Sequence, residues 1–183
     1  MTEKAQLMHD YLATHNTIIL STYGQDGPWA TPVFFVNRGF RIYFLSELTS
    51  IHSCNLRQNP LMAASITEDY EDFRKIQGIQ LKGHAYLVNS LKETAVVLGA
   101  YFKKYPAAKH ILQTPASFKG VSKARWHCII PEFLRFTDNS RKFGERFELK
   151  LKDAKTQDEF AIDGTDEVNT FEQFGLDESY LEQ

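Results

Sequence analysis

Residues 17–46, TIILSTYGQDGPWATPVFFVNRGFRIYFLS, decide the fold. Three runs rich in β-branched and aromatic residues, Thr17 to Thr22, Trp29 to Val36 and Phe40 to Ser46, succeed one another with only turns between them. The first turn, YGQDGP, is punctuated by two glycines and a proline. The second, Asn37-Arg38-Gly39, is short, and its glycine is free to take a positive φ. A parallel sheet would need a helical crossover between each pair of strands, and this stretch has no room for one. Strands joined by tight turns form an antiparallel sheet, and the expected architecture is a barrel.

The flanking segments alternate between the two periods. An opening helix is expected from a Thr2 cap to about His15, with Ala5, Met8 and Leu12 on one face. After the third strand comes a short polar helix, Ser50 to Asn59, capped by Thr49 or Ser50 and stopped by Pro60. Leu61 to Thr67 reads as a fourth strand. Ile76 to Val88 reads as a fifth, with Ile79, Leu81, Ala85 and Leu87 on one side and Gln80, Lys82, His84 and Tyr86 on the other. Ser90-Leu-Lys-Glu93 is a capping box for a long helix whose apolar face is Leu98, Tyr101, Phe102 and Tyr105, ended by Pro106. A sixth strand is expected near Ala124 to Thr137, and Arg146 to Leu151 alternates again. The fold class is therefore mainly β with inserted helices (α+β), built on a six-stranded antiparallel barrel.

Charge divides the chain into an expected domain at 1–155 and an acidic tail at 156–183. All 21 Lys and Arg precede the tail, which holds nine acids and neither basic residue. A mildly basic body suits a small anionic ligand such as a phosphate ester. It has no basic stripe with interleaved aromatics, so nucleic acid is not an expected partner. No apolar run approaches the ~20 residues that span a bilayer, so no membrane association is expected either. Cys54 and Cys128 have no pairing or metal-ligand spacing and read as reduced thiols of a cytoplasmic protein. The chain carries no GxGxxG after a strand, GxSxG, P-loop or HExxH.

From Thr17 to Val88 the chain resembles the FMN-binding split barrel of the pyridoxamine 5'-phosphate oxidase superfamily. The resemblance lies in the Gly27-Pro28 turn into WATPVFFV, the third strand ending Leu45-Ser46, and the run Ser50-x-His52-x-x-Asn55-Leu56-x-x-Asn59-Pro60. IQLKGHAYLV, with Gly83 at the family's glycine position, completes it. Tyr105-Pro106, Trp126 and FTDNSRKFG are similar to one uncharacterised bacterial branch of that superfamily. The resemblance implies a homodimer with FMN at the subunit interface. Thr31, Pro32, Val33 and Phe34 would offer backbone to the pyrimidine edge of the ring system. Ser46, Ser50 and His52 would hold the ribityl phosphate, with Gln80 assisting and Trp126 as a wall. A helix N-terminus with a hydroxyl cap suits a phosphate on physical grounds as well.

The chain departs from the oxidase where Ile51-His52 replaces an adjacent Arg-Lys pair, and where an acidic tail replaces an arginine-containing C-terminal motif. Oxidation of pyridoxamine phosphate itself is therefore not expected. The resemblance leaves two functions open. One is an FMN-dependent oxidoreductase acting on a small-molecule substrate. The other is a non-catalytic module that binds flavin or haem.

Overall fold

A computed structural model describes residues 1–108 and 123–151. In chain order the elements are α1 (Glu3–Thr14), β1 (Thr17–Gly24), β2 (Gly27–Arg38), β3 (Arg41–Glu47), α2 (Ile51–Gln58), β4 (Leu61–Thr67), β5 (Gln77–Leu87), α3 (Leu91–Lys104), β6 (Ala124–Asp138) and β7 (Arg146–Lys150). All strand pairings are antiparallel, in the order β3-β2-β1-β4-β5-β6-β7, and β3 also pairs with β6. That extra pairing closes the six expected strands into a ring. β7 lies outside the ring, against the same edge of β6 that β3 uses further up. The expected tail at 156–183 falls outside the described residues.

Alternation decides which side chains fill the ring. Ile18 and Leu20 of β1, Ile42 and Phe44 of β3, Ile66 of β4, and Ile79 and Leu81 of β5 are all buried in one cluster. Helices cover the two mouths. At one, α1 inserts Met8 and Leu12 into this cluster, and Thr2 Oγ1 caps it by accepting the Ala5 N–H. At the other sits α2, with Leu56 pointing into the core. Asn55 pins α2 in place: its Nδ2 donates to Thr22 Oγ1 at 3.2 Å, and a Cβ on Gly24 would lie 2.0 Å from its Oδ1. α3 covers part of the outside. Val97, Leu98 and Phe102 enclose Val36, Tyr43, Trp126 and Cys128 in a second cluster.

Two local features differ from, or extend, the sequence expectation. Phe40 does not open β3. Arg38 pairs with Arg41, so Gly39 (φ 57°) and Phe40 form a two-residue turn, and the Phe40 ring is buried against the α1 mouth. Burial of that ring holds the turn one residue tighter than hydrophobic pattern alone implies. On β5, the register shifts between Lys82 and Gly83. A Cβ at Gly83 would stand 2.1 Å from the Ile130 carbonyl, which is why glycine faces this bulge, whose unpaired residue is Glu132 of β6.

Candidate functional site

β2 and β3 part company halfway along. Their pairing runs only from Phe35↔Phe44 to Arg38↔Arg41, while β2 continues back to Gly27 against β1 alone. Over residues 27–34 one edge of β2 therefore faces no strand among the described residues. β3 meanwhile continues to Glu47 along β6 and delivers the chain to the start of α2. The result is a cleft with the free backbone edge of Thr31–Phe34 on one side and the end of β3 on the other. Unpaired edge groups bind whatever complementary donors and acceptors approach them. Thr31 and Val33 stand opposite Leu20 and Ile18 and face the ring interior, whereas Pro32 and Phe34 face outward. Thr31 Oγ1 is buried and has no hydrogen-bond partner among the described residues.

Three of the expected phosphate-site residues converge at the start of α2. Ser46 Oγ lies 2.7 Å from His52 Nε2 and 3.1 Å from Ser50 Oγ, and Ser50 Oγ is 3.2 Å from the same nitrogen. Ser50 caps the helix: its Oγ accepts the Ser53 N–H at 3.3 Å and its carbonyl accepts the Cys54 N–H at 2.9 Å. The N–H groups of Ile51 and His52, in the first turn, have no carbonyl within the helix to receive them. His52 is 7% exposed, and burial lowers its pKa. Burial thus disfavours the charged ring, which lies within hydrogen-bond reach of both serine hydroxyls, while Ser50 Oγ also lies 2.9 Å from the Glu47 carbonyl that can accept its proton. A positive charge does lie nearby, at a position that no motif marks. Arg125 is buried on β6 directly opposite Ser46. The only sequence sign of it is a cation set among apolar residues in ARWHCII.

Gln80 and Trp126 are not brought to this cluster. Gln80 is exposed on the outer face in one cross-strand row with Pro32, Ile19, Ser65 and Arg135. Three strand spacings separate it from Pro32, on the order of 14 Å. Trp126 is 2% exposed beneath α3, with Tyr101 edge-on at 5.3 Å, so neither ring face is open for stacking.

A second buried histidine lies behind the cleft. The His127 ring stacks on Phe44 at 4.7 Å, and its Nδ1 is 3.0 Å from the Arg125 carbonyl. A carbonyl only accepts, so Nδ1 carries the proton and Nε2 keeps a lone pair, which has no partner among the described residues. Burial drives the pKa of this ring down to about 4. It lines a cavity of about 220 Å³ with Ser53, Leu56, Arg57, Tyr86 and Leu87. Among the described residues no three His, Cys, Asp or Glu side chains group to hold a metal ion, and no helix is long and apolar enough to cross a membrane.

The family model for pyridoxamine 5'-phosphate oxidase matches residues 5–126. The UPF0306 protein of Photorhabdus laumondii is 28% identical over 147 residues, covering 79% of this chain and 94% of its own. A heme binding protein from Mycobacterium smegmatis superposes with a TM-score of 0.65 at 18% identity, over 82% of this chain and 59% of that one. A pyridoxamine 5'-phosphate oxidase homologue from Listeria innocua gives 0.59 at 18%, over 73% and 98%. At these identities the structural likeness is one of fold.

Proposed function

Since the chain belongs to the pyridoxamine 5'-phosphate oxidase family, we propose that it is an FMN-binding protein acting as a homodimer, and that it serves as a flavin-dependent oxidoreductase for a small-molecule substrate. The observation that carries this reading is the placement of the Ser46–Ser50–His52 cluster beside the free edge of Thr31–Phe34. A phosphate ester needs donors without a bulky counter-ion, and the start of α2 offers two hydroxyls, two N–H groups and the positive end of the helix dipole. The free β2 edge offers carbonyl and N–H groups to a planar heterocycle, and the orphaned Thr31 hydroxyl fits a polar atom there. Thr31, Pro32, Val33 and Phe34 would line the ring edge, and Ser46 and Ser50 would bind the phosphate. His52 would orient those hydroxyls. When bound, FMN supplies the two-electron chemistry, and the protein's part is to position it and exclude water.

The dimer reading draws on the outer face of β1, β2 and β4. Ile19, Tyr23, Phe34 and Leu61 are all exposed there, with Phe34 at 56%. Several large apolar side chains exposed on one sheet face suit an interface. Gln80 and its row-mates would then face the partner chain rather than their own cleft.

Haem is the second reading, because His127 has the arrangement of a metal-binding imidazole: one nitrogen fixed by a carbonyl, the other a bare lone pair. The 220 Å³ cavity it lines is small for a macrocycle, since pockets for drug-sized ligands run to ~300–1,000 Å³.

Flavin titration tests the proposal. Two charge-assisted hydrogen bonds are worth ~1.5–3 kcal/mol each, so FMN is expected to bind at least about tenfold tighter than riboflavin. Ser50→Ala and His52→Ala should each remove most of that ratio. Equal affinity for both flavins in the unaltered chain removes the phosphate assignment. A Soret band on haem addition that is lost in His127→Phe favours the second reading. Bleaching of the bound flavin by a pyridine nucleotide supports catalysis, and absorbance that never bleaches favours a binding module.

A further inference from the structure

The setting of His127 selects for one kind of ligand. Its ring is 1% exposed, Phe44 stacks on one face, and the Arg125 carbonyl takes the Nδ1 proton. The edge that carries Nε2 is what the ring has left to present to the cavity of about 220 Å³ that it lines. A buried acceptor without a donor bears its full desolvation cost. The cavity's own side chains do not relieve it. Arg57 Nη2 donates to the Leu48 carbonyl at 3.2 Å and lies 3.3 Å from Cys54 Sγ. The Tyr86 hydroxyl donates to Glu93 Oε1 at 3.2 Å, and Ser53 Oγ lies 2.8 Å from Ser50 Oγ. Each donor-bearing side chain of the lining is thus engaged elsewhere, and one acceptor is left over.

The rest of the lining is apolar, with Leu56 from α2, and Ala85 and Leu87 from β5. A water at Nε2 would find one free acceptor there, whereas buried waters make about three hydrogen bonds. An apolar cavity of about 150 Å³ already admits benzene, so this one has room for a molecule of one or two rings. Arg57, Pro60 and Tyr86 are the exposed members of the lining and mark its open side. We infer that the cavity is a second binding site, for a small, largely apolar molecule whose polar group is a hydrogen-bond donor (a phenol or an indole), with that donor on His127 Nε2. None of the residues assigned to flavin lines it, so the inference does not rest on the flavin reading. It gives the bare nitrogen a ligand that the cavity's size admits.

Paired titrations of the full chain with indole and benzofuran test it, because benzofuran has the same outline with an ether oxygen in place of the N–H. Indole is expected to bind about fivefold tighter, the ratio that a single hydrogen bond supports. With isotope-labelled histidine, indole should move the His127 Nε2 resonance upfield, and benzofuran should not. His127→Phe should abolish the preference for indole. If that variant does not fold, the paired titration and the labelled, unaltered chain still decide the matter. Equal affinity for the two probes would overturn the inference. So would the absence of saturable indole binding up to its solubility limit, or a nitrogen shift confined to His52.

Discussion

The two ends of β3 have opposite electrostatic designs. At its end, Ser46 joins a network of hydroxyls and a neutral, buried imidazole at a capped helix start. At its beginning, Arg41 faces another arginine and shares a cavity with a lysine. The first end fixes its hydroxyls in a hydrogen-bonded network at the helix start and leaves the first-turn N–H groups without an acceptor in the helix. The second brings charged side chains of both signs to one wall, Arg38, Arg41 and Lys92 with Glu93. Directional donors at fixed positions suit a small ligand of defined shape.

Phe44 sits between these ends in the ring core and stacks on His127, so truncating it should blur the distinction most. Phe44→Ala is expected to cost about 3–5 kcal/mol in denaturant unfolding. It should also weaken FMN binding. Unchanged FMN binding in the folded variant would show that the α2 end does not depend on this support.

Acid should attack the α2 end selectively. His127 has an ordinary pKa of 6.5, which folding lowers to about 4, so the unfolded chain binds its proton more readily. Its contribution is complete above pH 6.5 and is lost as pH falls towards 4, a loss on the order of 3 kcal/mol. The acid limb of the stability curve should therefore be shallower in His127→Phe than in the unaltered chain. Parallel limbs would contradict the buried, neutral assignment.

A smaller lesion separates the ends. A Cβ at Gly24 meets Asn55 Oδ1, the group that seats α2 on β1. Gly24→Ala should cost about 1–3 kcal/mol and lower the FMN-to-riboflavin preference.

Much of this architecture is legible in the sequence because local rules and tertiary packing agree. The caps at Thr2, Ser50 and Ser90, the stop at Pro60 and the alternation of Ile79–Leu87 each carry their own physical cause within a few residues. Phe40 escapes that logic because its burial depends on α1, more than twenty residues away. At the site, the Ser46–Ser50–His52 grouping is readable because it lies within one turn and one helix start. Arg125 and the bare nitrogen of His127 are not, since both depend on pairing with β3, some eighty residues earlier. The family resemblance points Trp126 to a ligand wall, whereas the position of α3 makes it part of a buried cluster.

The β3–β6 seam also sets an order of events during synthesis. β1, β2, β4 and β5 can zip together as they are made, but the edge of β3 must wait until Ala124 and the residues after it emerge. Long-separation pairing of this kind is slow, and a waiting strand edge recruits other chains. α3 is produced in that interval and lays Val97, Leu98 and Phe102 over Val36 and Tyr43. That cover is expected to shield part of the unfinished ring while the seam is still open.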